Sequence, residues 1–466
     1  MLVLKFGGTS VADADAIRRA AAIVGAQRGA RVVVVSALAG VTDALLQIGE
    51  VACADEHAAL RALDGLTARH HDVARAVRHA ERRRLLSAGI DGLSRSARGA
   101  VAAIRAAGRA RPTPASADRL VATGELWSSR LVAALLEDAG IASRWLDPPE
   151  IVHTDARYQA ATPDLVPTAR AVDKLVRPLL ASDRVVVIGG FIGSAPDGST
   201  TTLGRGGSDY SAALLGACLS ADEIQIWTDV DGILTADPRV IAHARLVERL
   251  SYAEAHDLAI FGAKVLHPAT IQPAAARNIP VRVLNSRRPD ATGTIIGPHT
   301  DLDVDPRLTA VACRSGVTLV EVISRDTRGR EFFAAKVFHV LAQGGTPVVL
   351  ADLCGNRLSV AVDDSADFDG FCSGVAAFAD VRLRRGLAAV CAVGRGWSAE
   401  PRLIRDALAV LGDTPVHMVA RPSGSSPLAL VVDEAHAEST LTRLHDGFLF
   451  EANASRPGDF PLAVNQ

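Results

Sequence analysis

Thr200-Thr201-Thr202-Leu203-Gly204-Arg205-Gly206-Gly207-Ser208-Asp209-Tyr210 is the stretch on which the reading of this chain turns. Three threonines, three glycines, one arginine and one carboxylate stand in eleven residues, and an apolar, helix-compatible run over 211–219 follows at once. Glycines let backbone N–H groups approach an anion closely, and a helix N-terminus adds donors and a favourable dipole. The guanidinium of Arg205 can fork onto a carboxylate or a phosphate. The segment is suited to holding oxyanions, although Gly-Gly-Ser-Asp clusters taken alone are usually ordinary turns.

Its surroundings favour the first reading. An apolar strand at 2–6 is broken by Gly7-Gly8 and followed by Thr9 and a helix over 13–28, with Asp13 as N-cap. A second strand at 31–35 ends in Ser36 and Thr42, and a helix starts near Asp43. Residues 54–109 read as mostly helical, and 120–125 lead into a helix reaching 139. Strands at 185–188, 223–228 and 281–284 end in Gly189-Gly190-Phe191, Thr228-Asp229 and Asn285-Ser286. This alternation predicts an α/β fold with a mainly parallel sheet, whose ligands lie at the carboxyl ends of the strands. The texture changes near 298, and 298–316 reads as a linker plus a first regulatory strand. A βαββα pattern then occurs twice, over 317–384 and 385–450, before a polar tail at 451–466. Two such units predict a pair of small α+β ligand-sensing domains, against the plainer reading of one irregular domain.

The 466 residues allow two or three domains, and 48% hydrophobic with 22% charged residues suits a globular protein with large cores. A net charge of -2 argues against nucleic-acid or membrane-surface partners. Six scattered cysteines without a C-x-x-C pair fit free thiols in the cytoplasm, and neither a signal peptide nor a membrane-spanning run is evident. Of 50 basic residues only four are lysines, so Lys5 and Lys264, both in unusual contexts, mark places that need a compact ammonium. No P-loop, dinucleotide fingerprint, nucleophile elbow or zinc-type cluster is present, and no bound metal is expected. Instead Lys5 before Gly7-Gly8, Ser36 with Thr42, Arg205 to Asp209, and Lys264 in Gly262-Ala263-Lys264-Val265 supply cations and hydroxyls at strand ends. That set suits phosphoryl transfer, which needs positioning and charge neutralisation.

Lys5-Phe6-Gly7-Gly8-Thr9-Ser10-Val11, Thr201 through Tyr210, Trp227-Thr228-Asp229-Val230-Asp231-Gly232-Ile233, Asp237-Pro238-Arg239 and Gly262 through Pro268 resemble, in order and spacing, the hallmark blocks of the aspartate kinases. The resemblance covers residues 1 to about 297 and is closest to the lysine-sensitive, monofunctional type. It implies an amino acid kinase fold, a three-layer αβα sandwich, over 1–297, followed by tandem ferredoxin-like ACT domains in which 308–313 pair with the second. It implies Mg-ATP-dependent phosphorylation of the β-carboxylate of L-aspartate, the entry step to lysine, threonine and methionine. Carried over, Lys5 neutralises the transferring group, with Asp209 organising it. Arg205 grips the α-carboxylate and Glu125 receives the ammonium group, while Ser36, Thr42, Phe191, Gly206, Gly207 and Ser208 complete the substrate site. Lys5, Gly7, Gly8, Thr9, Thr228, Asp229, Leu234, Arg239, Lys264 and Val265 line the ATP site. Leu234 stands where many relatives carry tyrosine. Bulky Phe332 and a displaced Asp352 stand in the region that would hold an effector, for which lysine is the leading expectation. A homodimer or higher homo-oligomer through the ACT domains is expected, and the tail leaves no homoserine dehydrogenase domain. The alternatives are a kinase of another small carboxylate in the same family and a catalytically silent amino-acid sensor.

Overall fold

Strands that are apolar on both faces belong inside a parallel sheet covered by helices. Leu2–Phe6 (β1) and Arg31–Val35 (β2) are of this kind: Val3, Leu4, Phe6 and all four valines at 32–35 are fully buried. The structure, a computed structural model, describes residues 1–262, 268–298, 307–325, 329–395, 401–420 and 427–450. The chain divides into two compact units. The first holds Met1–Ile233, Glu248–Tyr252 and Leu266–Pro298; the second holds Leu234–Val247, Ala253–Val265 and His299–Gln466. The boundary expected after 297 differs from this division. Segments 234–247 and 253–265 belong to the second unit, where Ala236 and Ile241 join a core with Leu308, Val390 and Leu430.

In the first unit β1 and β2 are accompanied by helices α1 (Ala14–Ala26), α2 (Val41–Ala52), α3 (Glu56–Ala74), α4 (Ala80–Ala106), α5 (Pro114–Val121) and α6 (Thr123–Asp138). Strands β3 (Ser143–Leu146) and β4 (Val185–Gly189), helices α7 (Leu165–Ala171) and α8 (Arg177–Ala181), and a hairpin of β5 (Ile192–Ser194) and β6 (Thr200–Thr202) follow. Helix α9 (Gly207–Leu219), strands β7 (Glu223–Thr228), β8 (Arg249–Ser251), β9 (Val281–Asn285) and β10 (Thr294–Gly297), and a four-residue helix Gln272–Ala275 follow. The eight-stranded sheet runs β3-β4-β2-β1-β7-β9-β10-β8, parallel except for the antiparallel β9–β10 pair. Leu4, Phe6, Val33, Val35, Val185 and Val187 face a core shared with α1 to α6, while α9 packs on the sheet through β1, β2 and β7. Helix α9 is buried on nearly all sides, as its run of Ala, Leu and Gly requires.

His70 on α3 is buried in this core. Its Nδ1 meets the Leu66 carbonyl at 2.6 Å, its ring lies 4.4 Å from that of Trp127, and its Nε2 has no partner. Burial pulls its pKa down from 6.5 to about 4. A depressed folded-state value means that His70 costs no stability above pH 6.5 and an increasing amount as pH falls toward 4. About 2 kcal/mol should be lost between pH 7 and pH 5 on this account. Urea unfolding followed by tryptophan fluorescence should show that difference in the parent and not in His70→Leu; equal pH slopes would remove His70 as the cause.

In the second unit six strands, β11 (Arg307–Ser324), β12 (Val348–Cys354), β13 (Arg357–Asp363), β14 (Ala379–Arg395), β15 (Val416–Ala420) and β16 (Leu428–Asp433), form one antiparallel sheet in the order β12-β13-β11-β14-β16-β15. Helices α10 (Arg330–Gln343), α11 (Phe368–Val375), α12 (Pro401–Ala409) and α13 (Ala437–His445) accompany it. The strands β11 and β14 are each used twice. The second half of β11 pairs with β13, whereas its first half, Leu308 to Cys313, pairs with the second half of β14 beside β16. Two interleaved ferredoxin-like modules result, each with its own core, one around Phe333, Phe371 and Val360 and one around Val390, Leu430 and Leu441.

A hydrogen-bond relay ties segment 234–247 to the end of α13 within this unit. Thr235 Oγ1 accepts from the Arg245 N–H at 2.9 Å and lies 3.0 Å from His445 Nε2. His445 Nδ1 lies 3.1 Å from Asp446 Oδ1, which is also 2.9 Å from His243 Nε2. The Thr235 hydroxyl and both His445 ring nitrogens are thereby satisfied in a fully buried place.

Candidate active site

Four neighbouring parallel strands, β4, β2, β1 and β7, bring their carboxyl ends together, and the chemistry-bearing residues lie on the turns that follow them. Lys5 is the penultimate residue of β1 and is 8% exposed. Its Nζ lies 2.5 Å from Asp209 Oδ1, in the first turn of α9. That turn can begin there because Gly204 and Gly206 take φ of 75° and 68°, where a β-carbon is strained. Gly190, after β4, admits α9 at close range: a β-carbon on it would stand 2.7 Å from Ser208 Cα. Phe191 has a left-handed φ of 69°, held by its N–H donating to Ser211 Oγ at 2.9 Å and its carbonyl accepting from Leu203. Strain of this kind in a residue with a side chain is concentrated at functional sites.

These turns enclose a cavity of about 580 Å³. Lys5, Gly8, Ser36, Thr42, Glu125, Phe191, Arg205, Gly206, Gly207, Ser208 and Asp209, all expected from sequence, line it together. Glu125, near the start of α6, is 3% exposed. Burial pushes its pKa up to about 8, against the opposing pull of the Ala37 N–H that it accepts and of Lys5. Its Oε2 has no hydrogen-bond partner. Arg205 is exposed and makes no ion pair among the described residues. The cavity therefore presents an exposed guanidinium, a buried carboxyl with an unused oxygen, and a paired lysine and aspartate. A zwitterionic amino acid suits both groups: its ammonium satisfies the buried Glu125 oxygen, which is costly to leave without a partner, and its carboxylate pairs with the Arg205 guanidinium.

The residues expected at the nucleotide are less united. Gly7 sits beside the cavity, where a β-carbon would come within 3.8 Å of Lys5 Nζ, but its N–H donates to the Trp227 carbonyl at 3.0 Å and is not open to a phosphate. Thr9 lies in the 3₁₀ turn Gly8–Val11, and Thr228 Oγ1 approaches Asp229 Oδ1 at 3.3 Å beyond β7. Leu234 and Arg239 belong to the second unit: Leu234 bridges to Leu246, and Arg239 forks onto Asp237. Lys264 and Val265 lie outside the described residues.

Among the cavity residues not assigned to the site from sequence, the polar pair Asp118 and Gln159 stands out. Asp118 on α5 is 2% exposed and accepts three hydrogen bonds, from Gln159 N–H at 2.9 Å and from Thr202 N–H and Oγ1–H at 2.8 Å each. Burial raises its pKa, opposed by those donors. Nothing in its local sequence separates it from an ordinary helix-surface acid.

Residues 1–285 match the model of the amino acid kinase family. The lysine-sensitive aspartokinase 3 of Escherichia coli (strain K12) is 34% identical over 459 residues, spanning 97% of this chain and 99% of its own. The chain superposes on the crystal structure of E. coli aspartokinase III in complex with aspartate and ADP (R-state) with a TM-score of 0.85, covering 97% of this chain and 100% of that one. On the lysine and aspartate complex (T-state) the TM-score is 0.78, with 96% and 99% covered. A family model over more than half the length, and full-length likeness to a curated relative, agree with the sheet order and the composition of the cavity: the chain belongs to the amino acid kinase family and, within it, to the aspartokinases.

Proposed function

We propose that the chain transfers the γ-phosphoryl group of Mg-ATP to the β-carboxylate of L-aspartate, giving 4-phospho-L-aspartate. The observation that carries this reading is the joint lining of one cavity by Arg205, which has no ion pair among the described residues, by Glu125 with its unused Oε2, and by the Lys5–Asp209 pair. Arg205 takes the α-carboxylate as a bidentate pair and Glu125 the ammonium group, which leaves the β-carboxylate directed toward Lys5. That carboxylate is already ionised at neutral pH and needs no general base. Lys5 neutralises charge on the transferring group, and Asp209 fixes its ammonium. Magnesium arrives on the polyphosphate and supplies further neutralisation when bound; Asp209 offers the hard oxygen donors that such an ion takes. The aspartate and ADP seen in E. coli aspartokinase III support the assignment of both substrates.

The lysine complex of the same relative supports lysine as effector of the second unit. There Phe332 is 67% exposed with Lys336 Nζ 4.4 Å from its ring, and Asp352 is exposed on β12. The unpaired edges β12 and β15 expose Val348 and Val419, which suits association of copies into a homodimer. Six free cysteines accord with a cytoplasmic enzyme, and no helix among the described residues is long and apolar enough to cross a membrane. Incubation with Mg-ATP, L-aspartate and hydroxylamine should give ADP and aspartyl hydroxamate in equal amounts. Hydroxamate from glutamate and none from aspartate would transfer the reading to another substrate.

A further inference from the structure

Asp118 does not reach the reacting atoms. Its residue is 2% exposed, and both carboxylate oxygens are occupied by donors of the protein. What those donors belong to is informative. Oδ1 accepts the Thr202 hydroxyl; Oδ2 accepts the N–H groups of Thr202 and Gln159. Thr202 ends β6, three residues before Arg205. Gln159 holds a left-handed φ of 68°, which a non-glycine residue adopts only when its surroundings over-determine it.

The two loops are braced a second time without Asp118. The Ala161 N–H donates to the Thr202 carbonyl at 2.9 Å, and a β-carbon on Gly204 would stand 2.9 Å from the Gln159 carbonyl oxygen. The turn carrying Arg205 therefore rests directly on the Gln159 peptide, and Asp118 holds that peptide and the strand end at the same time. Arg205 itself is exposed and unpaired among the described residues, so nothing on its own side chain fixes it. Its place is set by the backbone beneath it.

We infer that Asp118 is a positioning residue for substrate recognition: its buried carboxylate clamps Gln159 and Thr202, and through them sets the turn that aims Arg205 at the α-carboxylate of the amino-acid substrate. The inference rests on the aspartate kinase reading and deepens it. Its signature is selective. Loss of the clamp moves Arg205, which touches the amino acid, whereas Lys5 is held in β1 between β2 and β7 and Asp209 in a helix packed on β1, β2 and β7. Three hydrogen bonds to one buried carboxyl are also too many to be held by accident.

The test uses the full-length enzyme and its steady-state kinetics in both substrates, with the parent measured first. Asp118→Ala should raise KM for aspartate about tenfold or more, with KM for ATP within about twofold, because a small misplacement of a binding group suffices for such a loss. Asp118→Asn keeps an oxygen for the two N–H donors and an amide for the Thr202 hydroxyl, and should restore most of the affinity. Thr202→Val removes one of the three bonds and should give an intermediate KM; it serves also if Asp118→Ala does not fold. A KM for aspartate unchanged in Asp118→Ala or in Thr202→Val overturns the inference. An equal rise in both KM values, or an Asp118→Asn as impaired as Asp118→Ala, does so too, the last by showing that charge and not bonding geometry matters. A parent that forms no aspartyl hydroxamate would instead overturn the substrate reading, so the two failures are distinguishable.

Discussion

Lys5→Ala is expected to lower kcat for phosphoryl transfer to aspartate by about 10³-fold, the scale on which a single preorganised charge at the transferring group acts. The ammonium of Lys5 is almost enclosed, held 2.5 Å from Asp209, and stands at the strand end where the cavity begins. In such a place a charge is screened little by solvent and needs no reorganisation as negative charge builds on the phosphoryl oxygens. Removing it strips the transition state of a partner that the bound ground state uses less, so kcat falls further than KM rises. Lys5→Arg should recover little, because a planar fork cannot take the place of a compact ammonium between β1 and α9. Asp209→Asn should also be severe, and the double variant should be no worse than Lys5→Ala alone, since paired groups that act as a unit give strongly non-additive losses. The check is single-turnover hydroxamate formation alongside a thermal melt. A folded Lys5→Ala enzyme that retains a tenth of parental kcat would remove Lys5 from the chemistry.

What the sequence disclosed and what it withheld divide along one physical line. Residues on a strand end or a helix start are announced by their neighbours, since Gly7-Gly8 and Gly189-Gly190 end apolar strands and Gly204 through Gly207 precede an apolar helix. Lys5, Arg205 and Asp209 could therefore be placed at one end of a sheet before any coordinates, whereas Glu125, on a helix, is named only through the family resemblance. Short or polar strands are silent: β3 is Ser-Arg-Trp-Leu, and β5 and β6 have three residues each. Pairing is silent as well. The periodicity of β11 and β14 marks them as strands but does not say that each serves two modules. Segment 234–247 joins the second unit through apolar contacts, and 253–265 through the hydrogen bonds of Glu254 with Thr309 and of the Ile260 carbonyl with Arg314, none of which a local pattern records. Asp118 is the sharpest instance, an acid on an amphipathic helix whose partners lie 41 and 84 residues away. Gly7 is the converse: its glycine suggested an open N–H, and the adjacent strand β7 takes it.

Glu125 yields the prediction with the most distinctive signature, because it is legible in pH. Burial holds its pKa at about 8 with no ligand present, so at pH 7 the carboxyl is mostly protonated. An ammonium group arriving at Oε2 requires the carboxylate, and binding must therefore release a proton. Ionising the group at pH 7 costs about 1.4 kcal/mol of affinity, and the cost grows by a further factor of about ten for each unit below that. The sign follows: kcat/KM for aspartate should rise about tenfold per unit between pH 6 and pH 7 and level off near 8, while KM for ATP stays nearly flat. Glu125→Gln removes both the charge and the titration. Its KM for aspartate at pH 8 should rise about 10²-fold, as expected when one member of a buried charged pair is lost, and its pH slope should vanish. Succinate, which lacks the ammonium group, sharpens the comparison: the parent should discriminate strongly against it, and Glu125→Gln should discriminate little. A slope that survives in Glu125→Gln would assign the titration to another group, and a parent profile flat from pH 6 to 8 would mean that the ammonium is received elsewhere.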